Sequence, residues 1–184
     1  MPKDELKLQL NDINLDYIFG SLNIKHVVFG GQATGTFSIA GLLSKDIRLS
    51  TKQFDVINFA YNHSMLGDLH LYSQWERETQ GILLQGKISQ PNTADTRIEG
   101  YIFPTRDSLH LSFDANRLNL EFLRPFMDNI LSNVTGRATG KLDFYGRFKA
   151  LNVTGDAFID NFAFDIGYLN TSFSISDTVH LTPS

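Results

Sequence analysis

The chain has 184 residues, 42% of them hydrophobic, and carries 16 Lys and Arg against 20 Asp and Glu, with no cysteine. The apolar content excludes a disordered segment. The net charge of -4, with no basic run, excludes nucleic-acid binding by phosphate neutralisation, and the missing cysteines exclude disulfide staples and thiolate metal sites. Fifteen Phe, six Tyr and one Trp against three Met skew the apolar side towards residue types that fit pleated surfaces.

The amino terminus, MPKDELKLQL, has no apolar leader, and no window approaches the roughly 18 uninterrupted apolar residues of a membrane span. Either the protein is cytosolic or the sequence is cut from a longer one, and the alternating run SFSISDTVHL near its end favours the second. Leu6, Leu8 and Leu10 alternate with Lys7 and Gln9, and Ile13, Leu15 and Tyr17 follow an Asn11-Asp12 break. Period-two runs recur at Phe37/Ile39, Ile57/Phe59/Tyr61, Leu69/Leu71, Ile98 with Ile102, and Leu109/Leu111/Phe113. Turns are predicted over 75–81, 90–96 and 104–108, where Gly, Pro and short polar residues bend the chain. One segment departs from this: in NLEFLRPFMDNILSNVTG, Leu123, Phe126 or Met127, Ile130, Leu131 and Val134 recur at helical spacing, with Asn119 as N-cap and Gly136 as terminator. Pro125 limits this to a short or kinked helix near 119–131, plugging an end or flank of a sheet. Strand patterns resume at Leu142/Phe144, at Phe158, Phe162, Phe164, Ile166 and Tyr168, and at Phe173/Ile175.

These elements predict an all-β protein with one short helix. The segment reads as a single unit over 1–184 with two related halves, about 1–104 and 105–184. The halves are marked by a repeated phrase, GQATGTFSIAG at Gly31 to Gly41 and GRATGKLDFYG at Gly136 to Gly146, 105 positions apart. As a dinucleotide fingerprint the first copy fails, because Gln32 replaces the middle glycine and an alternating run, not a helix, follows. As a phosphate loop the second fails, with three residues between its glycines and Leu142 after Lys141. The remaining reading is structural punctuation, a tight opening of a strand with a later Gly marking its exit or a bulge.

Other chemistry is sparse. His26, His63, His70, His110 and His180 show no metal-ligand spacing, no activated-serine signature occurs, and Glu76 and Glu78 fall in a predicted hairpin tip. The N-x-S/T triplets at Asn62, Asn133, Asn152 and Asn170 arise readily by chance in an Asn- and Thr-rich β chain. No catalytic residue, cofactor or metal site is therefore expected. The aromatic rows fit either a closed sandwich core or an open sheet whose apolar face receives a ligand, and periodicity does not separate the two.

The phrases LNLEFLRPF, SNVTGRATGKLDFYG and YLNTSFSISDTVHLTP, covering Arg117 to Ser184, resemble the carboxyl-terminal domain of the TamB (translocation and assembly module) family in its Bacteroidetes form, related to the AsmA-like bridge proteins. The resemblance implies a periplasmic parent anchored in the inner membrane, an elongated curled sheet folded like a taco or half-pipe with a hydrophobic interior, transfer of phospholipid between membranes, and pairing of the parent with an outer-membrane barrel protein. On that reading acyl chains lie along Phe37, Ile39, Ile57, Phe59, Tyr61, Leu109, Leu111, Phe113, Leu142, Phe144, Phe158, Phe162, Phe164, Ile166 and Tyr168. The competing readings are a chaperone that templates barrel strands at an exposed sheet edge, and a self-contained β-sandwich binding module. Exposed edges would also allow copies to join edge to edge.

Overall fold

A computed structural model describes residues 5–17, 28–41, 48–124, 132–147 and 150–182. It contains eleven strands: β1 (Glu5–Asn14), β2 (Phe29–Ala40), β3 (Arg48–Tyr61), β4 (Ser64–Glu76), β5 (Gly81–Ser89), β6 (Thr96–Phe103), β7 (Ser108–Asn119), β8 (Ser132–Arg147), β9 (Ala150–Ile166), β10 (Thr171–Ile175) and β11 (Val179–Leu181). All lie in one antiparallel sheet in chain order, with β11 returning to pair with β9 beyond the end of β10. The sheet is curled and not closed: no pairing joins β1 to β10 or β11 among the described residues.

The hairpins follow from their turn residues. Asn62 and His63, both at positive φ, form the two-residue turn between β3 and β4, a geometry whose twist matches that of the flanking strands. The β4–β5, β6–β7 and β9–β10 connections are four residues long and end on a left-handed residue, Gln80, Asp107 and Asn170. Asn and Asp adopt that conformation at low cost because their short side chains bond locally.

The register assigns one side chain in two to the concave face. One row across the sheet runs Leu10, Gly35, Phe54, Leu71, Gly86, Ile98, Phe113, Leu142, Gly155, and the next runs Leu8, Phe37, Thr51, Ser73, Leu84, Gly100, Leu111, Phe144, Val153. Glycines therefore sit beside large residues on the same face. At Gly86 a Cβ would come 2.9 Å from Leu71 Cδ1, so the small residue makes room for its neighbour.

Strict alternation breaks at four places in the same way. Inward residues Leu10 and Ile13, Val56 and Phe59, Ala115 and Leu118, and Ile159 and Phe162 are separated by three positions, and the residue before the second is left-handed: Asp12, Asn58, Arg117 and Asn161. Each is a β-bulge, which adds an unpaired residue, bends its strand and increases its twist. Register pairing through Ile13, Ala33, Val56 and Leu69, and through Leu118, Ala138 and Ile159, places these bulges towards one end of the sheet. The curl is tight. β4 and β7, three strands apart, approach within 8 Å between Cα atoms, where a flat sheet would hold them about 14 Å apart.

Both G-x-A-T-G copies lie inside strands, β2 and β8, and do not open them. Ala33 and Ala138 are fully buried on the concave face. The following threonines point the other way and take up the bulge of the preceding strand: Asp12 N donates to Thr34 Oγ1 at 3.1 Å and Arg117 N to Thr139 Oγ1 at 3.2 Å. The repeat also extends beyond the phrase. Asn11-Asp12-Ile13-Asn14-Leu15-Asp16-Tyr17 matches Asn116-Arg117-Leu118-Asn119-Leu120-Glu121-Phe122 at the same offset of 105. In both copies the strand runs into a helical turn, at 15–17 and at Leu120–Leu123, before its G-x-A-T-G strand.

Asn119 caps the second turn as its type predicts, accepting from Glu121 N at 3.1 Å. Of the predicted helix only Leu120–Leu123 and Arg124 fall among the described residues, and 125–131 lie outside them. Gly136 does not terminate a helix, because it is an interior residue of β8. Leu15, Leu120, Phe122 and Leu123 are buried against the rows at the bulged end, and the Phe122 ring lies 5.8 Å from that of Phe144 and 6.2 Å from that of Phe113. The turn plugs one end of the trough.

Candidate functional site

The concave face divides into a floor and walls. At the bulged end Ala33, Val56, Leu69, Ile88, Ala115, Leu118, Val134, Ala138, Ala157 and Ile159 bury one another. Away from it many inward residues are half-buried, with Ile82, Leu142 and Phe144 buried among them, and at the two edges of the sheet Leu6, Leu8 and Phe173 are 49%, 43% and 40% exposed. Aromatic rings run along the walls: Phe37 to Phe54 at 4.9 Å, Phe113 to Phe144 at 5.1 Å, and Phe162, Phe164 and Phe173 in sequence at 5.1 and 5.3 Å.

The fifteen residues expected to face an apolar ligand fall into distinct places. Tyr61, Leu142 and Phe144 are buried and belong to the floor. Phe37, Ile39, Phe59, Leu109, Leu111, Phe113, Phe162, Phe164 and Ile166 are half-buried inward residues. Two do not belong to this face. Ile57, 59% exposed, pairs with Gln32 on the convex side, because the bulge at Asn58 puts Val56 and Phe59, not Ile57, in phase with the interior. Phe158, 53% exposed, is outside for the same reason: the bulge at Asn161 separates it from Phe162, and its ring stacks on His180 at 4.4 Å. The Tyr168 side chain lies outside the described residues. Leu6, Leu8, Leu84, Trp75 and Leu151 also lie on the inner face and were not among the fifteen, although Leu6 and Leu8 stand in an alternating run.

The convex face is mainly polar, with Ile57 and Phe158 exposed on it. A shallow concavity of about 680 Å³ crosses β1 to β4 beside Lys7, Gln9, Thr34, Ser50, Lys52 and Tyr72, and a second of about 610 Å³ continues beside His70, Gln85, Lys87 and Arg97. Three of the five histidines meet aspartates across strands on this face: His70 with Asp55 at 2.7 Å, His180 with Asp156 at 2.7 Å and His110 with Asp143 at 3.8 Å. Partial burial by itself would raise the Asp55 carboxyl, but hydrogen bonds from His70 and Gln53 outweigh it and hold the group below the usual carboxylate range. Burial raises the Tyr61 hydroxyl above its ordinary value. Glu76 accepts from the Tyr101 hydroxyl at 3.0 Å. The pairs are two-membered, and among the described residues no group of three or more His, Asp and Glu side chains could hold a metal.

Chemically, the arrangement offers a mainly apolar inner face, covered at one end by the helical turn and exposed along the edges at Leu6, Leu8 and Phe173, with hydrogen-bonding groups on the other face. Buried hydroxyls interrupt the apolar side at Thr51, Ser64, Ser73 and Thr96, and Thr51 and Ser73 face each other across β3 and β4. Thr51 Oγ1 donates to Gln53 O at 3.0 Å, while the buried Ser73 Oγ has no hydrogen-bond partner among the described residues. The chain matches no family model, no curated protein and no solved structure.

Proposed function

We propose that this chain is a non-enzymatic segment of a TamB-like, inner-membrane-anchored periplasmic protein, holding phospholipid acyl chains in its trough for transfer to the outer membrane. The supporting observation is the inward face, mainly apolar in its rows from β1 to β10, with half-buried side chains along much of it and the exposed Leu6, Leu8 and Phe173 at its two edges. A closed sandwich would cover these residues with a second sheet, and the described residues form a single sheet. Each methylene withdrawn from water contributes about 0.8 kcal/mol, so an acyl chain lying along several inward residues is held without polar recognition. The half-buried wall, Phe37, Ile39, Leu109, Leu111, Phe162 and Phe164, is where the chain contacts its ligand, and the buried floor keeps the trough in shape. No residue is asked to make or break a bond.

Phe158 and Phe164 provide a matched test, since both are Phe on one strand but face opposite sides. A photo-crosslinking phenylalanine is placed at each in turn, and the folded protein is irradiated with phosphatidylethanolamine vesicles. Capture of phospholipid at 164 and not at 158 is the expected result. Capture at neither, or equally at both, overturns the reading.

A further inference from the structure

The two copies of the repeated unit differ in one neighbour. The edge of β7 away from β8 is covered by β6, in the register Arg97↔Asp114, Ile98↔Phe113, Glu99↔Ser112, Gly100↔Leu111. Beside the bulge, Asn116 N donates to Thr96 Oγ1 at 2.9 Å. The matching strand of the first copy is β1, and no strand pairs with its outer edge among the described residues. Along an antiparallel strand the backbone groups alternate between the two sides. As Asn116 turns its N–H to β6, the equivalent Asn11, and with it Gln9, Lys7 and Glu5, presents backbone groups at the open edge.

The two edges of the sheet are also unlike. The carboxyl-terminal edge is broken into strands of five and three residues, a form that resists further pairing. β1 is ten residues long, has no Pro, and leaves Leu6 and Leu8 among the most exposed inward side chains.

We propose that the outer edge of β1 is a docking site for an antiparallel strand of β6 pattern, the last strand of a further unit of the same repeat. Moving the β6–β7 register by the 105-residue offset sets its Ile98 equivalent opposite Leu8, its Gly100 equivalent opposite Leu6 and its Arg97 equivalent opposite Gln9. The Glu99 equivalent then lies opposite Lys7, an opposite-charge cross-strand pair, and the Thr96 equivalent meets Asn11 N–H. A register one residue off would turn every apolar side chain of the incoming strand to the polar face. The docked strand extends the concave face past Leu6 and Leu8, whether or not that face holds lipid.

The test uses a fluorescent peptide copying residues 95–103 and a scrambled version of it. The copy is expected to bind the protein saturably with Kd of about 1 mM or tighter, roughly 4 kcal/mol, and the scramble at least tenfold more weakly. Gln9→Pro removes an edge-facing N–H while leaving the β1–β2 ladder, and should abolish binding at an unchanged unfolding midpoint. Register is read covalently in this cysteine-free chain: Lys7→Cys should form a disulfide with a Glu99→Cys peptide whose thiol is activated as a thionitrobenzoate mixed disulfide, releasing thionitrobenzoate, because directly opposed residues about 5.5 Å apart fall within disulfide reach. Gln9→Cys with the same peptide should not. Absence of binding, equal binding of the scramble, or persistence of binding in folded Gln9→Pro overturns the proposal. If Gln9→Pro does not fold, the two cysteine variants decide, and equal disulfide yield at 7 and 9 overturns it.

Discussion

Single left-handed residues decide which aromatic side chains share a face. Asn161, at φ 53°, lets Ile159 and Phe162 both point inward across a three-residue gap, and so expels Phe158. A non-glycine residue pays about 1–2 kcal/mol for this conformation, Asn less because its amide bonds locally, and a β-branched residue fits it worst. Asn161→Val is therefore expected to destabilise the protein by about 1–2 kcal/mol, while Asn161→Gly stays within about 0.5 kcal/mol of the parent. Urea unfolding midpoints at constant slope check both, and a neutral Asn161→Val would mean that the bulge is not held by this residue. The inward rows were legible in the sequence because alternation is a local property. Ile57 and Phe158 were misplaced because a period of two was carried through Asn58 and Asn161. A gap of three between apolar residues with Asn, Asp or Arg before the second, as in Val56-Ile57-Asn58-Phe59, is the signal that marks the change of phase.

At the scale of elements, the helical turn and the G-x-A-T-G strand work together. The threonine hydroxyl satisfies the bulge N–H of the preceding strand, the alanine leaves room on the inside, and the turn folds Leu120, Phe122 and Leu123 over the end of the trough. Sequence alone showed the glycine phrase and a helical tendency, but not that they belong to one unit. The hydrogen bond between Arg117 and Thr139 spans 22 residues, and no local pattern announces it. Phe122 touches the rings of Phe113 and Phe144 and is almost fully buried. Truncation of such a residue removes its burial and leaves a cavity. Phe122→Ala is accordingly expected to cost about 3 kcal/mol or more, and to raise the fluorescence of a bound hydrophobic dye as the plugged end opens. Full loss of stability without added dye binding would assign the turn to packing only.

Over the whole molecule, the curl separates two chemistries that a flat sheet would leave equally exposed. The concave side is apolar, while the convex side carries Lys7, Lys52, Lys87 and Arg97 beside Asp55 and Asp95. A phospholipid could be held by either, through its acyl chains inside or its headgroup outside, and the two modes respond oppositely to salt. At 0.1 M ionic strength the Debye length is about 10 Å and at 1 M about 3 Å, so attraction between exposed cations and a headgroup fades over that range. Burial of acyl chains does not weaken with salt and shows a negative heat-capacity change. If the trough is the binding site, affinities for neutral and anionic phospholipids of equal chain length should agree within about threefold, a difference under 1 kcal/mol. Neither should fall between 0.1 and 1 M salt, and shortening the acyl chain should weaken both alike. Calorimetric titration with short-chain lipids below their micellar concentration measures all of these together. A preference for anionic headgroups that disappears in 1 M salt would transfer the binding to the convex face and its lysines, leaving the inward row as a structural core.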